Sequence, residues 1–348
     1  MTALALPRLG VTLYSFTPYY HAREYSFEDL IRIAGERDLG PGLEIVGYQS
    51  IKGFPKLPDG FVKDFRRRVD EAGLELSAMG ANADAGIPHD RLLNEDELTE
   101  YMAHQLHTAK ELGFPIVRVQ HSVTPDLMER LLPLAEKLDL TMGMEIHSPH
   151  SVHHPKIQAL VERYEKLGSP HLGFIPDWGA SLTRLPPSAL QTYAAADVPR
   201  ELLDAYDRQW DVFHAEGVIT TDAEQGAQFR RMRELNERFG GDDVSVRIGT
   251  NAVGLFGHQR PEDWSAIMPW VVHVHGKFYG IDENGEEPSV PHGLLLRQLV
   301  DAGYTGYISS EWEGWHWNTT DDPFEMVAWQ HRLMRRIFGE IEAEAGVR

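Results

Sequence analysis

Residues 116–147 run Ile116-Val117-Arg118-Val119-Gln120, then an amphipathic segment from Pro125 to Leu138, then Thr141-Met142-Gly143-Met144-Glu145-Ile146-His147. Two short apolar runs rich in β-branched residues, separated by a helical pattern, are the signature of parallel strands joined by a crossover helix. The same rhythm extends in both directions. It gives six more strand candidates: Leu9–Ser15, Leu43–Gly47, Leu74–Met79, Leu172–Asp177, Val271–Phe278 and Gly306–Glu313. Helical candidates lie between them at Ser26–Arg37, Phe61–Ala72, Glu95–Leu112 and His154–Leu167. Several stop at a glycine, as in Ala72-Gly73 and Leu112-Gly113, where a helix C-terminus favours a residue that tolerates positive φ.

Eight units of this kind predict an α/β fold closed as a (β/α)8 TIM barrel, with 1–348 forming a single domain. An open dinucleotide-binding sheet is the rival. It is disfavoured because the first strand runs into Tyr14-Ser15-Phe16-Thr17-Pro18-Tyr19-Tyr20, with no glycine-rich turn for a pyrophosphate. One connection breaks the rhythm. Residues 179–268 form an insertion between strands six and seven, far longer than the usual loops of about 2–6 residues around one helix. It holds helical segments at Glu201–Gly217 and Asp222–Gly240 and a candidate extra strand at Val244–Thr250. A lid, a substrate wall, a partner surface and simple decoration are its open readings.

Composition narrows the partners. The 348 residues carry a net charge of −20, which disfavours a nucleic-acid partner because phosphate backbones need a basic surface. There is no cysteine, so disulfides, thiolate metal sites and a cysteine nucleophile are excluded, and any metal must sit on oxygen and imidazole. No stretch approaches the roughly 18 apolar residues of a membrane span, and the start MTALALPRLG lacks a signal-peptide pattern, so no membrane partner and a cytoplasmic location are expected.

The chemistry gathers at strand ends. Glu145, Asp177, His275 and Glu311 stand at or near the C-terminal ends of strands five to eight, where barrel enzymes place their active groups. One carboxylate there is an ordinary cap. Three carboxylates and an imidazole converging would repel one another unless a cation neutralised them, because each buried unpaired charge costs several kcal/mol. A divalent metal is the economical reading. Oxygen with one nitrogen suits Mn²⁺ first, with Mg²⁺, Co²⁺ and Zn²⁺ open.

Alternation adds neighbours, since residues two apart share a face of a strand. His147 accompanies Glu145 as a candidate base or as a hydrogen-bond partner of that ligand. Lys277 and His273 accompany His275, Lys277 as the balancing cation, and Glu313 follows Glu311. His121, after the fourth strand, is either a substrate contact or a packing residue. Aromatic residues crowd the same rim, Tyr14 and Trp178 among them, and their flat faces favour a sugar ring or an aromatic ligand. Arginine is sparse at these strand ends, which favours an unphosphorylated substrate.

The Glu, Asp, His, Glu set, the Val272-His273-Val274-His275-Gly276-Lys277 strand and the Gly303-Tyr304-Thr305-Gly306-Tyr307 lead-in resemble the xylose-isomerase-like barrel superfamily of sugar isomerases and epimerases. The resemblance implies a divalent metal on Glu145, Asp177, His275 and Glu311, and chemistry at a carbon next to a carbonyl. Closer in, Glu145-Ile146-His147-Ser148-Pro149-His150, Pro176-Asp177-Trp178-Gly179, His275-Gly276-Lys277-Phe278-Tyr279 and Ser310-Glu311-Trp312-Glu313-Gly314 are similar to the large subunit of bacterial C-glycoside deglycosidases. That implies a metal-dependent carbon-carbon lyase acting on an oxidised, flavonoid-type glycoside, in a hetero-oligomer with a small beta subunit. His147, Lys277, Glu145 and Glu311 are then the expected catalytic groups, and His121, His273, Tyr14, Trp178 and Glu313 the expected substrate contacts. The alternative is a metal-dependent sugar epimerase or isomerase, in which Glu145 and Glu311 themselves serve as the two acid/base groups.

Overall fold

The computed structural model describes residues 4–121 and 123–346, with the side chain of His121 outside the description. Eight parallel strands form the inner wall: β1 (Arg8–Thr12), β2 (Gly42–Val46), β3 (Glu75–Ala83), β4 (Ile116–His121), β5 (Thr141–Ile146), β6 (Leu172–Pro176), β7 (Val274–Phe278) and β8 (Tyr307–Trp312). They pair in the order β6-β5-β4-β3-β2-β1-β8-β7, with helices on the outside. This is the nearly closed (β/α)8 barrel expected. The seam falls between β6 and β7, where among the described residues only the bridges Phe174↔Val271 and Asp177↔His275 join the strands. β2, β5, β6, β7 and β8 are buried almost throughout, as strands covered by helices on one side and by the filled barrel on the other must be.

Local signals place the outer helices. The first five are α1 (Phe27–Glu36), α2 (Phe61–Glu71), α3 (Glu95–Leu112), α4 (Pro125–Leu138) and α5 (Pro155–Leu167). Asn94 caps α3 in a capping box with Glu97, and Gly113 ends it at φ +96°, a conformation that glycine adopts without strain. The insertion supplies α6 (Pro187–Ala195), α7 (Arg200–Glu216), α8 (Asp222–Arg238) and α9 (Ser245–Gly254), after which α10 (His292–Asp301) and α11 (Pro323–Gly346) complete the ring. Among the described residues no helix is long and apolar enough to cross a membrane.

The expected strand at Val244–Thr250 is corrected to helix α9. Its short apolar-polar alternation is ambiguous by itself. The carboxylate of Asp242 accepts the Val244 and Ser245 N–H groups at 3.0 and 2.9 Å, which starts a helix that buries Ile248, Gly249, Ala252 and Val253 on one face. Beyond it the chain returns to the end of β6. Gly257 and Gln259 donate to the carbonyls of Gly179 and Ala180, and the Gln259 side chain accepts the Val152 N–H at 2.7 Å. The insertion is thereby stitched to the rim of the barrel on two sides.

At the opposite end of the barrel, β1 and β2 meet through two glycines. A Cβ on Gly10 would lie 2.8–3.0 Å from backbone atoms of Gly42, which cannot swing aside. Gly10→Ala is expected to lower folding stability by about 1–3 kcal/mol through overpacking, read as a lower midpoint in urea unfolding. An unchanged midpoint would contradict the close backbone approach.

Candidate active site

Inward side chains stack in three layers at the C-terminal end of the barrel, as alternation along each strand requires. In the deepest layer His273 Nε2 lies 3.0 Å from Glu44 Oε2 and 3.0 Å from Ser309 Oγ. In the next, His275 Nε2 is 2.9 Å from Glu44 Oε1, while its Nδ1 is 2.7 Å from Glu145 Oε1 and 3.3 Å from Glu311 Oε2. Arg118 Nε approaches Glu145 Oε2 at 3.5 Å. In the top layer Lys277 Nζ lies 2.7 Å from Asp177 Oδ2, 3.1 Å from Glu313 Oε1 and 3.8 Å from Glu311 Oε2.

Local structure sets these directions. Asp177 leaves β6 and caps the following turn, its Oδ1 accepting the Gly179 N–H at 2.7 Å, so that Oδ2 alone faces Lys277 and, at 3.5 Å, His147 Nε2. Arg118 lies along Gly80, where a Cβ would come within 2.6 Å of Nη2. Its Nη1 donates to Asn82 Oδ1 and Gln120 Oε1 at 3.1 and 3.0 Å, which points the guanidinium across the floor of the site.

Charge dominates the energetics. Glu44, Glu145, Asp177, Glu311 and Glu313 are all buried, and the permanent cations among them are Arg118 and Lys277, which leaves an excess of three negative charges when the histidines are neutral. The protein answers by protonation where it can. Burial opposes charge on His275, but Glu44, Glu311 and Glu145 together raise its proton affinity well above that of a free imidazole. Burial likewise opposes ionisation of Glu145 and Glu44; His275 and Arg118 overcome it for Glu145, His275 and His273 for Glu44, and both carboxyls are held well below the usual range. Lys277 is raised well above its ordinary value, because Asp177, Glu311 and Glu313 outweigh desolvation. It therefore stays cationic through neutral pH and cannot act as a proton acceptor there.

Among the described residues, two groups of three side chains have ligand atoms close enough together to hold a metal ion: Glu145, His275 and Glu311, and Glu44, His273 and His275. The first fits a divalent cation. It offers two oxygens and one nitrogen, and Glu311 Oε2 is buried without a hydrogen-bond partner. Asp177 stands one step away, held by Lys277, and joins this group only by giving up that contact.

Above the first group opens a cavity of about 460 Å³. Of the residues singled out in the sequence, Glu145, His147, Lys277, Glu311, Glu313 and Tyr14 line it. His275 lies just beneath its floor, against Glu145 and Glu311. His273 is enclosed a layer below, and Trp178 packs edge-on against His292 at 5.1 Å between ring centres, so neither forms part of the cavity wall. His121 falls outside the described side chains. The insertion contributes Leu255, and Tyr48 and His316 complete the rim. Burial, together with Glu313 and Glu311, pushes the Tyr14 hydroxyl well above its ordinary range, so it faces the cavity as a neutral donor.

Glu44, Arg118 and Gln120 are the functional candidates that sequence reasoning missed. A signal was present for two of them: Glu44 is the one charge in Gly42-Leu43-Glu44-Ile45-Val46, and Arg118 the one charge in Ile116-Val117-Arg118-Val119-Gln120. A charged residue inside a run buried on both faces must point into the barrel and find partners there.

The profile of the xylose isomerase-like TIM barrel family matches residues 42–336. The chain belongs to that family. Within it, the chain is 48% identical to a C-glycoside deglycosidase alpha subunit from Microbacterium trichothecenolyticum over 96% of its length and 91% of the relative's. A C-glycoside deglycosidase alpha subunit from Arthrobacter globiformis is also 48% identical, over 96% of this chain and 92% of its own. Among solved structures, L-ribulose 3-epimerase superposes with a TM-score of 0.55 at 12% identity, covering 98% of each chain. D-psicose 3-epimerase from Clostridium cellulolyticum H10, crystallised with D-tagatose, gives 0.55 at 10% identity, over 95% of this chain and 99% of its own. At such identities the structures speak for the fold alone.

The family's barrel mouth here depends on Lys277. Lys277→Met would leave Asp177 and Glu313 buried without their cation, and a loss of about 3–5 kcal/mol of stability at pH 7 is expected. The stranded carboxyls would then bind protons more tightly folded than unfolded, so the loss should shrink as the pH falls toward 5. Denaturant unfolding at the two pH values measures this; a pH-independent deficit would contradict the charge pairing.

Proposed function

We propose that this chain is the large, alpha subunit of a C-glycoside deglycosidase, a Mn²⁺-dependent carbon-carbon lyase acting on 3-oxo-C-glycosides. The observation that carries the reading is near-full-length identity of 48% to alpha subunits of that name, joined to a cation-ready group on the floor of a cavity. Glu145, His275 and Glu311 would hold the metal, and Asp177 would join them as fourth ligand by giving up its contact with Lys277. When bound, the ion supplies Lewis acidity toward the sugar ketone and so makes the neighbouring C2 proton removable.

The chain's own groups account for the proton movements. His147 is the base. Its Nδ1 is turned to the Ser148 carbonyl, which makes that nitrogen the N–H donor and leaves the lone pair on Nε2. Nε2 stands at the cavity wall, placed to take the C2 proton of a bound sugar. The electron pair from C2–H then forms the C1–C2 double bond, the C1–aglycone bond breaks, and the departing carbon keeps its electrons and takes a proton, the one removed from C2 being returned by the His147 imidazolium. Lys277, a fixed cation at the same wall, offsets negative charge developing on the sugar oxygens. Tyr14 and Glu313 contact the substrate, and His273, enclosed below, takes no part in contacting it.

The cavity is wide and half polar in its walls, with Tyr14, Tyr48, Met144 and Leu255 offering flat or apolar surface to an aromatic aglycone. The designation alpha subunit in the relatives supports a small beta-subunit partner and a hetero-oligomer, and the rim-stitched insertion 179–268 is the surface proposed to meet it.

Combining the chain with the product of an adjacent reading frame, Mn²⁺ and a 3-oxo-C-glycosyl flavonoid should release free aglycone, and a chelator should abolish the release. His147→Ala should lower kcat by about 10²–10⁴-fold. Sugar interconversion without aglycone would establish the epimerase reading instead, and near-normal turnover in the variant would remove His147 as base. Glu145→Gln and His275→Asn should each lose bound divalent metal by elemental analysis; full retention in both would refute the ligand assignment.

A further inference from the structure

Glu44 is fully buried, and both of its oxygens are engaged by imidazoles, Oε1 by His275 Nε2 at 2.9 Å and Oε2 by His273 Nε2 at 3.0 Å. The pairing of β2 with β3 shifts register between Leu43 and Glu44, at the point where this side chain enters the barrel. Glu44, His273 and His275 form the second group close enough to hold an ion, so two roles compete for them. Occupying both groups at once would require His275 to offer both ring nitrogens, and an imidazolate is expensive to form. Satisfaction of polar atoms decides between the groups. Each Glu44 oxygen already has its own ring nitrogen and Glu44 does not line the cavity described above, whereas Glu311 lines it and its Oε2, 3.3 Å from His275 Nδ1, makes no hydrogen bond.

We propose that Glu44 is a positioning residue for the metal centre, its carboxylate accepting the Nε2–H of His275 and so turning the Nδ1 lone pair toward Glu145 and Glu311. The inference rests on the metal reading of the site given above. A carboxylate only accepts, so it fixes one tautomer of His275; the second imidazole, His273, holds the carboxylate itself in place through Oε2 and is in turn held by Ser309 Oγ at 3.0 Å. A glutamine at position 44 has the same shape but must present an NH₂ group to one of the two imidazoles. Where it faces His275, Nε2 becomes the acceptor, the ring proton moves to Nδ1, and the nitrogen facing Glu145 and Glu311 no longer carries a lone pair.

Two measurements on the full chain test this, neither of them an activity. In Zn²⁺-loaded wild-type protein labelled with ¹⁵N-histidine, the His275 resonances, assigned by their loss in His275→Asn, should show the proton on Nε2. Isothermal titration with Mn²⁺ should show Glu44→Gln binding about 10- to 100-fold more weakly than wild type. Equal Mn²⁺ affinity in the folded variant would overturn the role of Glu44 while leaving the metal centre standing, whereas a proton on Nδ1 in the loaded wild type would remove His275 as a ligand and the role of Glu44 with it. Failure of the wild type to bind either ion would overturn the metal centre and this role together. Should Glu44→Gln not fold, the wild-type resonances alone decide.

Discussion

An uncompensated knot of negative charge under the mouth of the barrel is the constraint on which the rest of this structure turns. Five carboxylates lie out of water around two permanent cations, and the low-dielectric surroundings make each unpaired charge expensive. Three devices in the chain reduce that expense. Lys277 is shared between Asp177 and Glu313, Arg118 is laid across Glu145, and His275 is driven toward its charged form by the three glutamates around it. A proton on His275 still leaves an excess of negative charge, which a dication could offset.

The barrel converts this local arrangement into something reproducible. Side-chain alternation sends His273, His275 and Lys277 inward from one stretch of chain and Ser309, Glu311 and Glu313 from the next; Glu44 and Glu145 from non-adjacent strands complete the two lower layers, and Asp177 at the end of β6 completes the top one. The weak seam between β6 and β7 falls where Asp177 and His275 are bridged through their backbones, and the long insertion begins and ends beside it. Fastening residues 257–259 to 179–182 and to the Val152 N–H closes the rim at a place where sheet hydrogen bonding is sparse.

Much of this was legible in the chain before any coordinates. All eight strands lie within a few residues of where β-branched runs put them, because a fully buried parallel strand has little choice but a continuous apolar sequence. The strand ends at Glu145, His275, Lys277 and Glu311 were legible too, since position within a barrel strand fixes which end of the barrel a residue reaches. What sequence did not convey was partnership. Nothing local to Asp177 says that Lys277 claims it, and nothing in Val272-His273-Val274-His275 distinguishes the histidine at the cavity floor from the one enclosed beneath it. The setting of the two histidines involves Glu44, 229 and 231 positions away from them in the chain. The helix over Ser245–Gly254 was misread for a related reason: its cap lies in Asp242, outside the alternating window, and its apolar face is defined by packing inside the insertion.

The most direct measurement of the account is anomalous diffraction from crystals soaked in Mn²⁺, recorded on either side of the manganese absorption edge. The charge argument predicts one strong anomalous peak per chain, within coordination distance of Glu145, Glu311 and the Nδ1 side of His275. A map with no peak there, or with its peak on surface carboxylates alone, would contradict it.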